Sequence, residues 1–161
     1  MAYTMKVDGM EELSGMLQNL GDKAQGIASK GLYEGAGVMA KKIASAAKTI
    51  RTKPFRYAVF ITRDPSPEEK AVVEAAGAVG IARFDKNGSE VNTAIGYGNA
   101  GYAEMAGKLV PIAKIANAIN SGTSFMQKQP FIRKAMNSGK AAATDAILAK
   151  VEEEVNTIMN T

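Results

Sequence analysis

Between Lys23 and Ile50, apolar residues recur every three or four positions: Ala28, Leu32, Ala36, Met39, Ile43, Ala47 and Ile50. This spacing places them on one face of an amphipathic helix about four heptads long, the longest helical pattern in the chain. Gly31, Gly35 and Gly37 interrupt it, each costing about 1 kcal/mol relative to Ala. Three glycines in seven residues point either to a close backbone approach by another element or to a kink that divides the helix.

The flanking segments read as shorter elements. Tyr3 to Asp8 alternates with a period of two, as a strand does, and Leu13, Met16, Leu17 and Leu20 form a helical stripe closed by Gly21. Asp22 is placed to cap the long helix. Thr52-Lys53-Pro54 ends that helix, and Phe55 to Thr62 reads as a strand. Ser66-Pro67-Glu68-Glu69 carries a cap, a proline at the first helical position and the acid of a capping box. The helix it opens runs to about Ala76. Asn87-Gly88 between two alternating runs, Val79 to Lys86 and Glu90 to Tyr97, predicts a hairpin. Gly96 to Gly101 reads as a flexible connection, and Pro111 opens a helix with Ile112, Ile115, Ala116 and Ile119 on one side. Phe131 to Asn137 reads as a short helical turn. A last helix is expected from about Lys140 to Met159, with Ile147, Leu148, Val151, Val155 and Ile158 inward. Strands dispersed among helices predict an α+β fold. Its long N-terminal amphipathic helix and C-terminal helix would pack on a small, mainly antiparallel sheet with an inserted hairpin. At 161 residues the chain is expected to form a single domain, with 64–104 as a possible inserted helix and hairpin.

Composition narrows the chemistry. The chain has no His and no Cys, which removes disulfides, Cys- or His-ligated zinc, thiol nucleophiles and any triad built on an imidazole. It has no Trp, 6% aromatics and 27 alanines, a helix-rich scaffold more than an enzyme. The acid pairs Glu11-Glu12 and Glu68-Glu69 sit at helix starts, where capping and the helix dipole account for them. Asp85 and Glu90 flank the predicted turn and are expected to be solvated. Gly96 to Gly101 lacks the Lys-Ser/Thr ending of a phosphate loop. No catalytic residue, cofactor site or metal site is expected. No stretch reaches the roughly 18 apolar residues of a membrane span, and Met1 leads into a polar segment unlike a signal peptide. The chain reads as soluble, with no membrane partner.

Charge is distributed unevenly. The net charge is +4, yet Gly35 to Arg63 and Met105 to Thr144 contain no acid at all. The first stretch carries Lys41, Lys42, Lys48, Arg51, Lys53, Arg56 and Arg63; the second includes Lys108, Lys114, Lys128, Arg133, Lys134 and Lys140. Such stretches suit ordinary solvated helix faces, contact with DNA or an acidic partner, or head-to-tail assembly of opposite charges. Lys41, Lys42, Lys48, Arg51, Lys53, Arg56, Lys108 and Lys114 form the candidate basic contact surface. Segments 45–57 and 96–111, Gly- or Lys-rich, are expected to be weakly packed and to order against neighbours.

Two ordered motifs carry a resemblance. The opening runs from Val7 to Gly21, with Gly9, Leu13, Leu17 and Leu20 before the long helix. The second runs from Asn120 to Ala135 and holds Gly122, Thr123, Met126, Gln129, Pro130, Phe131 and Ala135 in a Gly-Thr-x-x-Met-x-x-x-Pro-Phe pattern before the closing helix. Together they resemble the tail-completion, or head–tail joining, family of long-tailed double-stranded DNA bacteriophages. The middle departs from that family: Thr52-Lys-Pro-Phe-Arg-Tyr stands where many members have Pro-x-x-Thr-Gly-x-Leu. The resemblance implies a non-enzymatic virion protein of the neck or upper tail, assembled in the host cytoplasm. It would form a hexameric ring between a head connector or stopper and a tail terminator or tail-tube protein, with packaged DNA passing close by. A small basic DNA-binding module is the alternative. Read physically, Gly122 is a helix stop at positive φ and Thr123 or Ser124 can bond the freed backbone. Pro130 holds Gln129 out of helix, and Phe131 plugs the core. Gly122, Thr123, Gln129, Pro130 and Phe131 are thus expected to form a structural elbow.

Overall fold

In a computed structural model of the chain, the apolar stripe is one unbroken helix, α1, Lys23–Ala47. The structure describes residues 3–4, 21, 23–52, 62–75, 77–87 and 90–159. After α1 come α2 (Pro67–Glu74), the strands β2 (Gly80–Ile81), β3 (Asp85–Asn87), β4 (Glu90–Asn92), β5 (Ala94–Gly96), β6 (Tyr102–Met105) and β7 (Lys108–Pro111), then α3 (Ile112–Ser121) and α4 (Phe131–Met159). β1 (Tyr3–Thr4) precedes them. The architecture is the expected α+β mix of long N- and C-terminal helices with small sheets. The rest of the predicted first strand, the 10–20 helix, the Asp22 cap and the strand at 55–61 lie outside the described residues.

The chain divides into two compact units. The helix-pair unit comprises Ala2–Met39, Ile81–Ile95 and Gly139–Thr161. Here α1 and α4 run antiparallel and almost backbone to backbone. A Cβ added at Gly31 would lie 2.7 Å from Val151 Cγ2, and one at Gly35 would collide with the Ile147 side chain. A Cβ at Gly37 would meet open space. Two of the three glycines therefore serve a close approach, and the helix is not divided. Ile27, Leu32, Ile147 and Val151 form the buried cluster, with Phe84 and Val91 packed against it. Burying four such side chains, at about 1.5–3 kcal/mol each, outweighs the helical cost of the glycines.

The predicted hairpin lies in this unit as β3–β4, with Asn87 opposite Glu90; its turn, Gly88-Ser89, lies outside the described residues. β5 joins a three-stranded sheet ordered β1-β5-β2. At Thr93, between β4 and β5, the buried hydroxyl donates to the Ala82 carbonyl at 2.9 Å. Two features of α4 differ from expectation. The short turn at 131–137 and the last helix are one helix of 29 residues; no proline interrupts it, and Gly139 is accommodated in a buried position. Leu148 is not inward but 44% exposed. The buried positions Ala143, Ile147 and Val151 repeat every four residues, which turns Leu148 about 100° off that line. Glu154 pairs with both Lys30 and Lys150, so the acidic end of α4 meets a basic neighbour.

The elbow unit comprises Ala40–Gly80 and Gly96–Ser138, with Met1. α2 is capped as predicted: the Ser66 hydroxyl accepts from the Glu69 N–H and Glu69 accepts from the Ser66 N–H. α3 packs against α2 and β7, burying Ile115, Ala116 and Ile119. Segments 45–57 and 96–111 are mostly exposed where described, with a few buried anchors. Ala47, Ile50 and Tyr97 are buried, and much of the second segment is a hairpin, β6–β7, in which Met105 faces Lys108. Ala106 and Gly107 both have positive φ, as a two-residue hairpin turn with the right twist requires.

The glycines make a direct stability test. Gly35→Ala is expected to lower stability by about 1–3 kcal/mol through overpacking. Gly37→Ala should raise it by about 0.5–1 kcal/mol through helix propensity alone. Urea unfolding followed by circular dichroism reads both signs; equal effects would show that α1 and α4 do not approach closely.

Candidate functional site

Gly122 at positive φ ends α3, and Pro130, which has no N–H, excludes helical backbone at Gln129. Its polar groups are satisfied one by one. Gly122, at φ +77°, donates its N–H to the Ala118 carbonyl at 2.8 Å. The Thr123 hydroxyl accepts the N–H groups of Phe125 and Met126 at 3.2 and 3.0 Å. Thr123 thus caps the following turn and not the carbonyls freed by α3. The Gln129 N–H donates to the Ile119 carbonyl at 2.8 Å. The buried Asn120 carboxamide accepts the Ile132 N–H at 3.1 Å, satisfying one of the free donors at the start of α4. Phe131 is buried and meets Tyr97 edge-on, with ring centroids 6.2 Å apart.

The elbow also anchors the chain on both sides of residues 53–61. The Gln129 side chain accepts the Arg51 N–H at 2.9 Å and donates to the Arg51 carbonyl at 3.0 Å. Arg63 donates its N–H to the Phe125 carbonyl, and its own carbonyl accepts the Gln127 N–H, each at 2.9 Å. The guanidinium of Arg63 reaches both carboxylate oxygens of Glu69 at 2.7 Å. That hydrogen bond holds the Glu69 carboxyl below its ordinary value; burial opposes it and the Ser66 N–H assists it. Of the acid pair at 68–69, Glu69 therefore contributes both a cap and an ion pair.

Every described member of the candidate basic surface is exposed: Lys41, Lys42, Lys48, Arg51, Lys108 and Lys114. Lys53 and Arg56 lie outside the described residues. All six exposed members belong to the elbow unit, on different elements: the end of α1 and the residues after it, β7, and α3. Among its described residues this unit has 11 Lys or Arg against 5 Asp or Glu, a formal +6. The helix-pair unit has 6 against 7. The charge separation seen along the sequence thus follows the division into units. Among the described residues no group of three carboxylates is placed to hold a metal ion, and no helix is long and apolar enough to cross a membrane. Asp64 Oδ1 and the Tyr97 hydroxyl are buried without hydrogen-bond partners among the described residues. Burial pushes the Tyr97 phenol upward, so it stays protonated.

Sequence reasoning found Gly122, Thr123, Gln129, Pro130 and Phe131 but missed Asn120, a buried amide with no local signature. It also missed the β6–β7 hairpin, although Ala106-Gly107 between short alternating runs carries a weak turn signal. No family model matches the chain, and no curated protein or solved structure matches it either.

Two measurements check this geometry. Gln129→Ala should cost about 1–2 kcal/mol by leaving two Arg51 backbone groups without their partner; chemical denaturation measures it, and a neutral result would remove the anchoring role. Glu69→Gln should cost about 1 kcal/mol at pH 7, the pair being partly exposed and screened. The folded-state value of Glu69 lies below the unfolded value near 4.5. The contribution is therefore complete above pH 4.5 and lost as pH falls through the folded-state value. Unfolding curves of wild type and variant should converge in that acidic range; a constant gap would assign the cost to something other than the carboxylate.

Proposed function

We propose that this chain is a virion structural protein of a tailed phage or prophage, a member of a ring in the neck or upper tail that joins the head connector to the tail tube. The observation that carries the reading is the elbow. The residues Gly122, Thr123, Gln129, Pro130 and Phe131, part of the second motif of the resemblance, turn and anchor backbone or fill the core, and none is left over for chemistry. That is what a protein working by shape and contact requires.

The elbow unit also offers surface for neighbours. The β6–β7 hairpin has no further strand on either edge among the described residues, and a two-stranded ribbon alone is only marginally stable. Tyr102 and Leu109 lie on one of its faces, 70% and 75% exposed. Phe125, at the tip of the elbow, is 80% exposed. Exposed aromatic and aliphatic side chains beside unpaired strand edges suit contacts between subunits.

Size exclusion with light scattering should give a mass several times the 16.9 kDa of the chain, and Leu109→Asp with Tyr102→Ser should reduce it while the helical circular dichroism of the folded chain is retained. A chain that stays monomeric at high concentration and binds neither tail-tube nor connector protein would overturn the proposal.

A further inference from the structure

Gln129 brings two basic segments together. Its side chain is bonded to both backbone groups of Arg51, three residues beyond Lys48 and just past the end of α1. Gln129 itself follows Lys128 and lies four and five residues before Arg133 and Lys134, in the first turn of α4. Lys48, Arg51, Lys128, Arg133 and Lys134 are all exposed. None makes an ion pair among the described residues. No acid lies in either stretch that supplies them.

Arg133 and Lys134 are poorly placed for stability. The start of a helix carries positive partial charge and favours acids, yet the first turn of α4 has no acid and two cations. Folding of α4 does not account for them. A bound anion would, since it would offset the positive end of the helix dipole.

We infer that the cluster of Lys48, Arg51, Lys128, Arg133 and Lys134, gathered by the Gln129–Arg51 hydrogen bonds, is a binding surface for the phosphate backbone of double-stranded DNA. A second copy of this chain fits less well. Among the acids of the helix-pair unit, Glu153 and Glu154 are already paired with Lys30 and Lys150, and the described acids and bases there nearly balance. A polyphosphate presents unbroken negative charge at close spacing. With no aromatic residue in the cluster, it would contact the backbone irrespective of base sequence. The inference goes beyond assembly and does not depend on a ring.

Fluorescence anisotropy with a labelled mixed-sequence duplex, from about 50 to 200 mM salt, tests it. Log affinity should fall with log salt with a slope of about −3 or steeper. Replacing all five residues with Gln should weaken binding at least about 100-fold at low salt, flattening the slope by about 0.9 for each lost phosphate contact. Replacing Lys23, Arg83, Lys86 and Lys140 of the helix-pair unit with Gln should change neither. If the five-fold variant misfolds, the pair Arg133→Gln and Lys134→Gln still decides, because it should weaken DNA binding while leaving the unfolding midpoint equal or higher. No binding at about 50 mM salt, equal losses in the control variant, or equal competition by polyglutamate would each overturn the inference. A ring that ignores DNA would leave the assembly reading standing, and a monomer that binds DNA this way would do the reverse.

Discussion

Pro130 denies the chain between α3 and α4 a helical solution, and the elbow unit is organised around the consequence. Each backbone group that α3 or α4 would have satisfied must find a partner elsewhere. Ile119, Asn120 and Thr123 supply partners from nearby in sequence. Gln129 reaches across 78 positions to Arg51, and Arg63 pairs with both Phe125 and Gln127. One irregular segment thus holds the end of α1, the approach to α2 and the start of α4. These are neutral hydrogen bonds worth about 1 kcal/mol each when made, and costing more if left unmade within the fold.

The same arrangement concentrates positive charge. Gln129 joins the chain just past the end of α1 to the residues that open α4. Stability favours the cations after α1 and disfavours those opening α4, which separates the part of the charge that folding explains from the part that a ligand would. The proposed assembly through the exposed hairpin and the proposed contact with DNA through the cluster would use different residues of one unit, so neither reading competes with the other for surface.

Local signals were read well where local physics decides the outcome. The stripe from Ala28 to Ile50 is buried at every predicted position, because a 3.6-residue period has one helical solution. Ser66 to Glu69 forms its capping box, and Gly122 takes positive φ. Legibility failed where alternatives lay close in energy. The segment at 96–111 is rich in glycine, and its Ala-Gly turn is a weaker signal than Asn-Gly. Phe131–Asn137 and the helix after it read as separate elements, yet Gly139 between them is buried in mid-helix. Leu148 is apolar and near the stripe, but the four-residue repeat set by the approach of α1 leaves it outside.

By itself, the sequence determined what kind of chain this is: α+β, free of imidazole and thiol chemistry, with a long amphipathic helix, a capped short helix and a rigid turn at Pro130. These follow from short-range periodicity, missing functional groups and proline's fixed geometry, all of which act within a few residues. Tertiary structure alone decided that Gly31 and Gly35 admit α4 while Gly37 does not, that Glu69 answers Arg63, and that Gln129 answers Arg51. Each of these depends on which residues distant in the chain come within bonding or contact distance. No period or motif encodes that, because the closing distance is set by the packing of every element between them.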